Sequence, residues 1–211
     1  MPRKQFSFPI LPAALVAMLA LAVAVVVIAR QSNSSGTSTT TSTASGESVD
    51  GAPLPATPAP PFTLTDESGR KVSLSEYRGR VTVITFLYPG CGATCTVIAQ
   101  QIRGALDELS SPPAVLIITA DPAADSPAAV ARFLASVSLT GRASFLTGTE
   151  SELRPIWSAY RVKPAADGPT TFSSYAFVML LDPSGRERVL FETEQLTPEA
   201  LSHDIRALQR G

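Results

Sequence analysis

Cys91 and Cys95 are the only cysteines in this chain of 211 residues, and both fall where an apolar run gives way to an amphipathic one. Val81 to Leu87 (VTVITFL) is rich in β-branched and aromatic residues and reads as a buried strand. Pro89 and Gly90 break it. Val97, Ile98, Ile102, Leu106 and Leu109 then recur at helical spacing, so the next element is expected to be an amphipathic helix. A thiol at the start of a helix meets unpaired N–H groups and the positive end of the dipole, which favour thiolate over thiol. An i, i+4 spacing puts both sulfurs on one helix face, where they either close a disulfide or hold a soft metal ion. The plainer alternative is two unrelated core cysteines; their isolation at a strand–helix junction argues against it.

Arg3 and Lys4 precede an uninterrupted apolar stretch from Ile10 to Ala29, closed by Arg30. About 20 apolar residues suffice to cross a bilayer as a helix. Residues 1–30 are therefore expected to be a transmembrane anchor, with a signal sequence cleaved near Ala29 as the alternative. The cationic residues before the span place the N-terminus in the cytoplasm and the bulk of the chain outside the cell membrane, where disulfides persist. Residues 31–61 are Ser/Thr-rich and then Pro-rich (SNSSGTSTTTSTASGES, APLPATPAPP), a composition expected to remain a disordered tether. Its random-coil reach is ~30 Å.

Residues 62–211 are long enough for one domain with its own core. Their 14 Lys and Arg are interspersed with 16 Asp and Glu, so no nucleic-acid footprint is present. A hairpin is expected across Asp66-Glu67-Ser68-Gly69, then a short helix capped by Ser73 and Glu76. Ala114 to Thr119 reads as a second buried strand, and Ser126-Pro127 as the start of a helix. Ser144 to Leu146 reads as a brief strand, followed by a helix capped by Thr149 and Glu152. Tyr175 to Leu181 is apolar throughout and is expected to be a central strand; Arg188 to Phe191 follows as a hairpin edge, and Thr197-Pro198 opens the last helix. The alternation predicts an α/β fold with helices on both faces of the sheet.

The strings PPFTLTDESGRKVSLSEYRGRVTVITFLYPGCGATC, ITADPAADSP, FLTGTESEL with WSAYRV, and AFVMLLDPSG resemble the Sco/SenC family, in its order and spacing, over residues 60–208. The resemblance implies a thioredoxin-like fold with a central mixed sheet. It also implies a membrane-tethered, extracytoplasmic protein that helps assemble the copper site of cytochrome oxidase. Its partner would be the oxidase's copper-binding subunit or another copper-site assembly protein. Cys91 and Cys95 match the family's CxxxC motif, whose cysteines bind copper or exchange disulfides. The family's third copper ligand is a histidine before the LLDPxG strand; eight residues before Asp182 this chain has Ser174, and Ser173 replaces an acid. Thr96 stands where a proline usually follows the second cysteine.

His203, the one histidine, lies about 200° round the last helix from Leu201 and is expected to be a solvated bystander. Met179, on an apolar strand, is expected to be core. Gly168-Pro169-Thr170-Thr171-Phe172 resembles the GxPTTF loop of thioredoxin-like reductases, where a cis-proline packs on the active cysteines; a plain turn is the alternative. Three functions are consistent with these residues. The first is a thiol–disulfide reductase, an oxidoreductase acting through Cys91 and Cys95. The second is a metallochaperone holding copper, Cu(I) ahead of Cu(II), on the same two cysteines. The third is a non-catalytic docking scaffold.

Overall fold

The computed structural model describes residues 48–164 and 176–211. The putting-together of its elements starts from eight strands: β1 (Ala52–Pro53), β2 (Thr63–Asp66), β3 (Lys71–Ser73), β4 (Thr82–Leu87), β5 (Ala114–Thr119), β6 (Ser144–Thr147), β7 (Phe177–Leu181) and β8 (Glu187–Glu192). They form one sheet in the order β1-β8-β7-β4-β5-β6-β2-β3. β4 runs parallel to β5, and β5 to β6, while β7 pairs antiparallel with β4 and β8 with β7. Among the described residues the four α-helices are α1 (Ala93–Asp107), α2 (Pro127–Ser136), α3 (Glu150–Ala159) and α4 (Pro198–Arg210).

Alternation along the strands assigns each side chain to a face. Val83 and Leu87 join a core with Ile98 and Ile102 of α1, Val130 and Leu134 of α2, and Leu201 and Ile205 of α4. Ile84 and Phe86 point the other way, into a core with Leu153, Ile156 and Trp157 of α3. Every residue of β4 and of β5 is buried, as strands covered on both faces must be. The mixed sheet with helices on both faces is thus present as expected.

Helix boundaries follow their caps. Thr149 accepts the Glu152 N–H while Glu152 accepts the Thr149 N–H, closing a reciprocal box at the start of α3. Ser126 and Thr197 cap α2 and α4, each followed by proline at the first helical position. Gly104 of α1 lets α4 approach; a Cβ there would lie 2.8 Å from Pro198 Cγ.

Three expectations need correction. The folded domain begins before residue 62: Ala52 and Pro53, placed by composition in the tether, form β1 against Leu190 and Val189. Proline is tolerated there because an edge strand has one unpaired side. For the same reason β8 is not an edge strand; β1 covers it. Val97, expected on the apolar face of α1, is 42 % exposed, because the buried stripe runs through Cys95, Ile98, Ala99, Ile102, Ala105 and Leu106. The anchor and the tether up to residue 47 lie outside the described residues. Among the described residues no helix is long and apolar enough to cross a membrane.

Candidate functional site

The turn from β4 into α1 is built by two glycines around a cysteine. The Cys91 N–H donates to the Tyr88 carbonyl at 3.3 Å, closing the chain back on the end of the strand. Gly90 has φ +95°, and Gly92, at the N-cap of α1, has φ 78° and ψ −143°, a region essentially reserved for glycine. No side chain caps α1 at Gly92, although Thr96 Oγ1 donates to the Gly92 carbonyl at 3.0 Å. The uncapped first turn leaves backbone N–H groups and the positive dipole end beside the sulfurs.

Cys91 and Cys95 are joined as a disulfide with Cα atoms 5.8 Å apart, within the range such a bond permits. Cys95 lies on the buried stripe of α1 and is 1 % exposed; Cys91, in the turn, is 9 % exposed. The two residues are therefore unequal: both are buried, Cys95 more completely than Cys91. Gly92, Ala93 and Val97, beside them in the chain, are exposed, and Thr94 and Thr96 half-exposed; none of these five carries a charge.

The neighbouring strand end is braced by polar contacts that sequence reading missed. Trp157 Nε1 donates to the Thr119 carbonyl at 2.8 Å, and the Asp121 N–H donates to Thr119 Oγ1 at 3.0 Å. Burial, followed by the charge of Asp121, pushes the Tyr88 hydroxyl above its ordinary pKa, so it remains protonated at neutral pH. Asp125 accepts from Thr147 Oγ1 at 2.7 Å through Oδ2, while its buried Oδ1 has no partner. Burial raises its pKa, and Asp121 adds to this, against the lowering by Thr147 and Thr119. The ADPAADSP string placed both aspartates near a strand end, but nothing in it signalled that one would bury a carboxylate oxygen.

A raised carboxyl pKa penalises the folded state once the group must ionise. The penalty is absent below the unfolded pKa, grows as pH rises toward the folded value, and is complete above it. Asp125→Asn is therefore expected to stabilise the domain at neutral pH, with the advantage fading in acid. Urea unfolding of both chains at acid and neutral pH measures it.

His203 does not stand alone in solvent as expected: it is half-buried, with Nδ1 3.0 Å from Asp204 Oδ1 and 3.1 Å from Asp50 Oδ2. Met179 is 6 % exposed and belongs to the α3-side core. Ser173, Ser174 and the loop bearing Pro169 lie outside the described residues.

A family model described as SCO1/SenC matches residues 51–210. Among curated proteins, the chain is 31 % identical over 140 residues to the mitochondrial SCO1 protein of Saccharomyces cerevisiae, covering 60 % of this chain and 45 % of the yeast protein. It is 34 % identical over 110 residues to a putative peroxiredoxin of Mycobacterium tuberculosis, covering 52 % of this chain and 66 % of that protein. It thus spans about half to two thirds of the length of these relatives. Among solved structures, yeast Sco1 with copper bound superposes with a TM-score of 0.59 at 26 % identity, over 71 % of this chain and 87 % of the yeast chain. The family match takes in the whole sheet, all four helices and the Cys91–Cys95 turn; the chain belongs to the SCO1/SenC family.

Proposed function

We propose that this chain is a membrane-tethered, extracytoplasmic thiol–disulfide oxidoreductase serving assembly of the cytochrome oxidase copper site, with Cys91 and Cys95 as its redox pair. The observation that carries the proposal is the disulfide at the head of α1, joining a residue 9 % exposed in the turn to one 1 % exposed in the helix. In the reduced chain the Cys91 thiolate attacks a disulfide of the copper-site protein, forming a mixed disulfide and expelling one client thiolate. The Cys95 thiolate then attacks the Cys91 sulfur, closing the intramolecular disulfide and releasing the second client thiolate. Two electrons pass to the client, and an external dithiol must return them to the chain. The dipole of α1 favours both thiolates, and the exposed Gly92, Ala93 and Val97 beside them bring no charge against a client backbone. The span over residues 10–29 would hold the domain outside the cytoplasmic membrane, with Arg3 and Lys4 inside.

Alkylating the denatured chain with a mass-tagged thiol reagent tests the redox reading. Two tags are expected after reduction and none after mild oxidation. Two free thiols persisting through oxidation would rule it out.

A second reading is supported by the copper-bound yeast relative: the reduced pair carries Cu(I) as cargo. Two soft thiolates on adjacent positions suit a linear Cu(I) ion. Cu(II) prefers nitrogen and oxygen donors, and in the family's register Ser174 supplies a hydroxyl in place of imidazole. Titration of the reduced chain should show one tight Cu(I) and weak Cu(II). Ser174→His should raise Cu(II) affinity and bring in a thiolate-to-copper absorption band. Tight Cu(II) binding through the cysteines of the unmodified chain would show that another ligand replaces the histidine.

A further inference from the structure

The segment entering the domain and the last helix meet at a polar cluster outside the cysteine turn. Asp204 of α4 has a fully buried side chain. Its Oδ1 accepts the Asp50 N–H at 2.9 Å, and its Oδ2 accepts the N–H groups of Asp50 at 3.1 Å and Gly51 at 3.0 Å. These backbone donors fix the carboxylate in place. The neighbouring His203 turns Nδ1 toward Asp204 Oδ1 at 3.0 Å and Asp50 Oδ2 at 3.1 Å. One imidazole nitrogen and two carboxylate oxygens, from residues 50, 203 and 204, all lie within 4.8 Å of one another.

We propose that Asp50, His203 and Asp204 form a site for a borderline dication such as Zn(II), separate from the cysteine pair. Two of the three donor pairs, Nδ1 with Asp204 Oδ1 and with Asp50 Oδ2, are 3.0 and 3.1 Å apart, near the roughly 3.3 Å edge of a tetrahedron with metal–ligand bonds of about 2.0–2.1 Å. The ligand chemistry also fits, since imidazole nitrogen with carboxylate oxygen suits Zn(II) and related dications, whereas Cu(I) prefers the two sulfurs. Two carboxylates and a neutral imidazole carry two negative charges, which one dication neutralises. The ion pairs that both carboxylates make with His203 put its Nδ1 between them, and a metal would take the place of the proton there. The backbone N–H groups on Asp204 act as the orienting outer contacts that metal-ligating carboxylates require. Asp50 and His203 have side chains 51 % and 40 % exposed, which leaves an entry path and room for water ligands. Occupancy would pin residue 50 to α4, at the point where the folded domain begins.

The chain's composition makes the test clean, because His203 is its only histidine. The full-length chain, with Cys91 and Cys95 held as the disulfide so that neither thiol competes, is titrated with Zn(II). One-to-one saturable binding is expected, with the single set of imidazole proton resonances shifting in step. His203→Ala and Asp50→Asn should each weaken binding at least tenfold. Imidazole resonances that stay unmoved up to millimolar Zn(II), or binding that survives His203→Ala undiminished, would overturn the proposal. Asp50→Asn supplies the check at a side chain that is half in solvent, so a folding defect in one variant does not decide the result.

Discussion

Cys95→Ser is expected to trap a mixed disulfide between Cys91 and an oxidised client peptide, whereas Cys91→Ser forms no adduct and loses disulfide exchange altogether. The asymmetry follows from burial. Cys91 sits in the turn at 9 % exposure and is assigned as the sulfur that receives an incoming disulfide; Cys95 lies on the packed stripe of α1 at 1 % and is assigned as the resolver. Without Cys95 the mixed disulfide has no internal thiol to resolve it, so the adduct persists until a reductant is added. Loss of the bridge itself does not blur the comparison. Closing a loop this short is worth about 2 kcal/mol in the loop-entropy account, and either serine variant loses the same bridge. Non-reducing electrophoresis and intact mass of both variants after incubation with an oxidised dithiol peptide check the prediction. An adduct on Cys95 in the Cys91→Ser chain would reverse the assignment of attacker and resolver.

The elements that sequence reading placed well are those with a local cause. The capping pairs Ser73/Glu76 and Thr149/Glu152 and the prolines after Ser126 and Thr197 act over a few residues, so they mark helix starts wherever the rest of the chain goes. The same is true of the β4–turn–α1 unit, where strand, breakers, cysteines and helix are contiguous. What escaped was non-local. Ala52 and Pro53 look like tether until β8 supplies partners 138 and 136 residues away, and Pro-rich composition carries no trace of them. Asp204 looks like an ordinary polar residue on an amphipathic helix, yet it is buried because the backbone of residues 50 and 51 covers it. Val97 is apolar at a helical spacing but lies just off the stripe that Cys95 belongs to. Periodicity identifies a face only to within about one residue, and at this site that residue separates a core side chain from the rim of a reactive disulfide.

Phe86→Ala is expected to lower the domain's stability by about 3–5 kcal/mol, the usual cost of emptying a large aromatic site that cannot collapse. Phe86 is 2 % exposed and packs against Tyr160 and Phe177, with ring centroids 5.4 and 5.7 Å away. It joins β4, β7 and the end of α3, so the cavity would be walled by three elements held by their own hydrogen bonds. For a domain of this size each kcal/mol lowers Tm by roughly 2–4 °C, giving a fall of ~6–20 °C. The urea midpoint should drop with little change in slope, because the surface exposed on unfolding is nearly the same. Val97→Ala, at an exposed position on α1, should stay within about 0.5 kcal/mol of the parent chain. The pair of variants also separates stability from chemistry. Phe86 points into the α3-side core, whereas Leu87, Tyr88 and both cysteines belong to the core on the other face of the sheet. Below its unfolding transition, the Phe86→Ala chain should therefore exchange disulfides at the parent rate. A lowered rate in the folded variant would show that the cysteine turn is positioned by packing on both faces of β4.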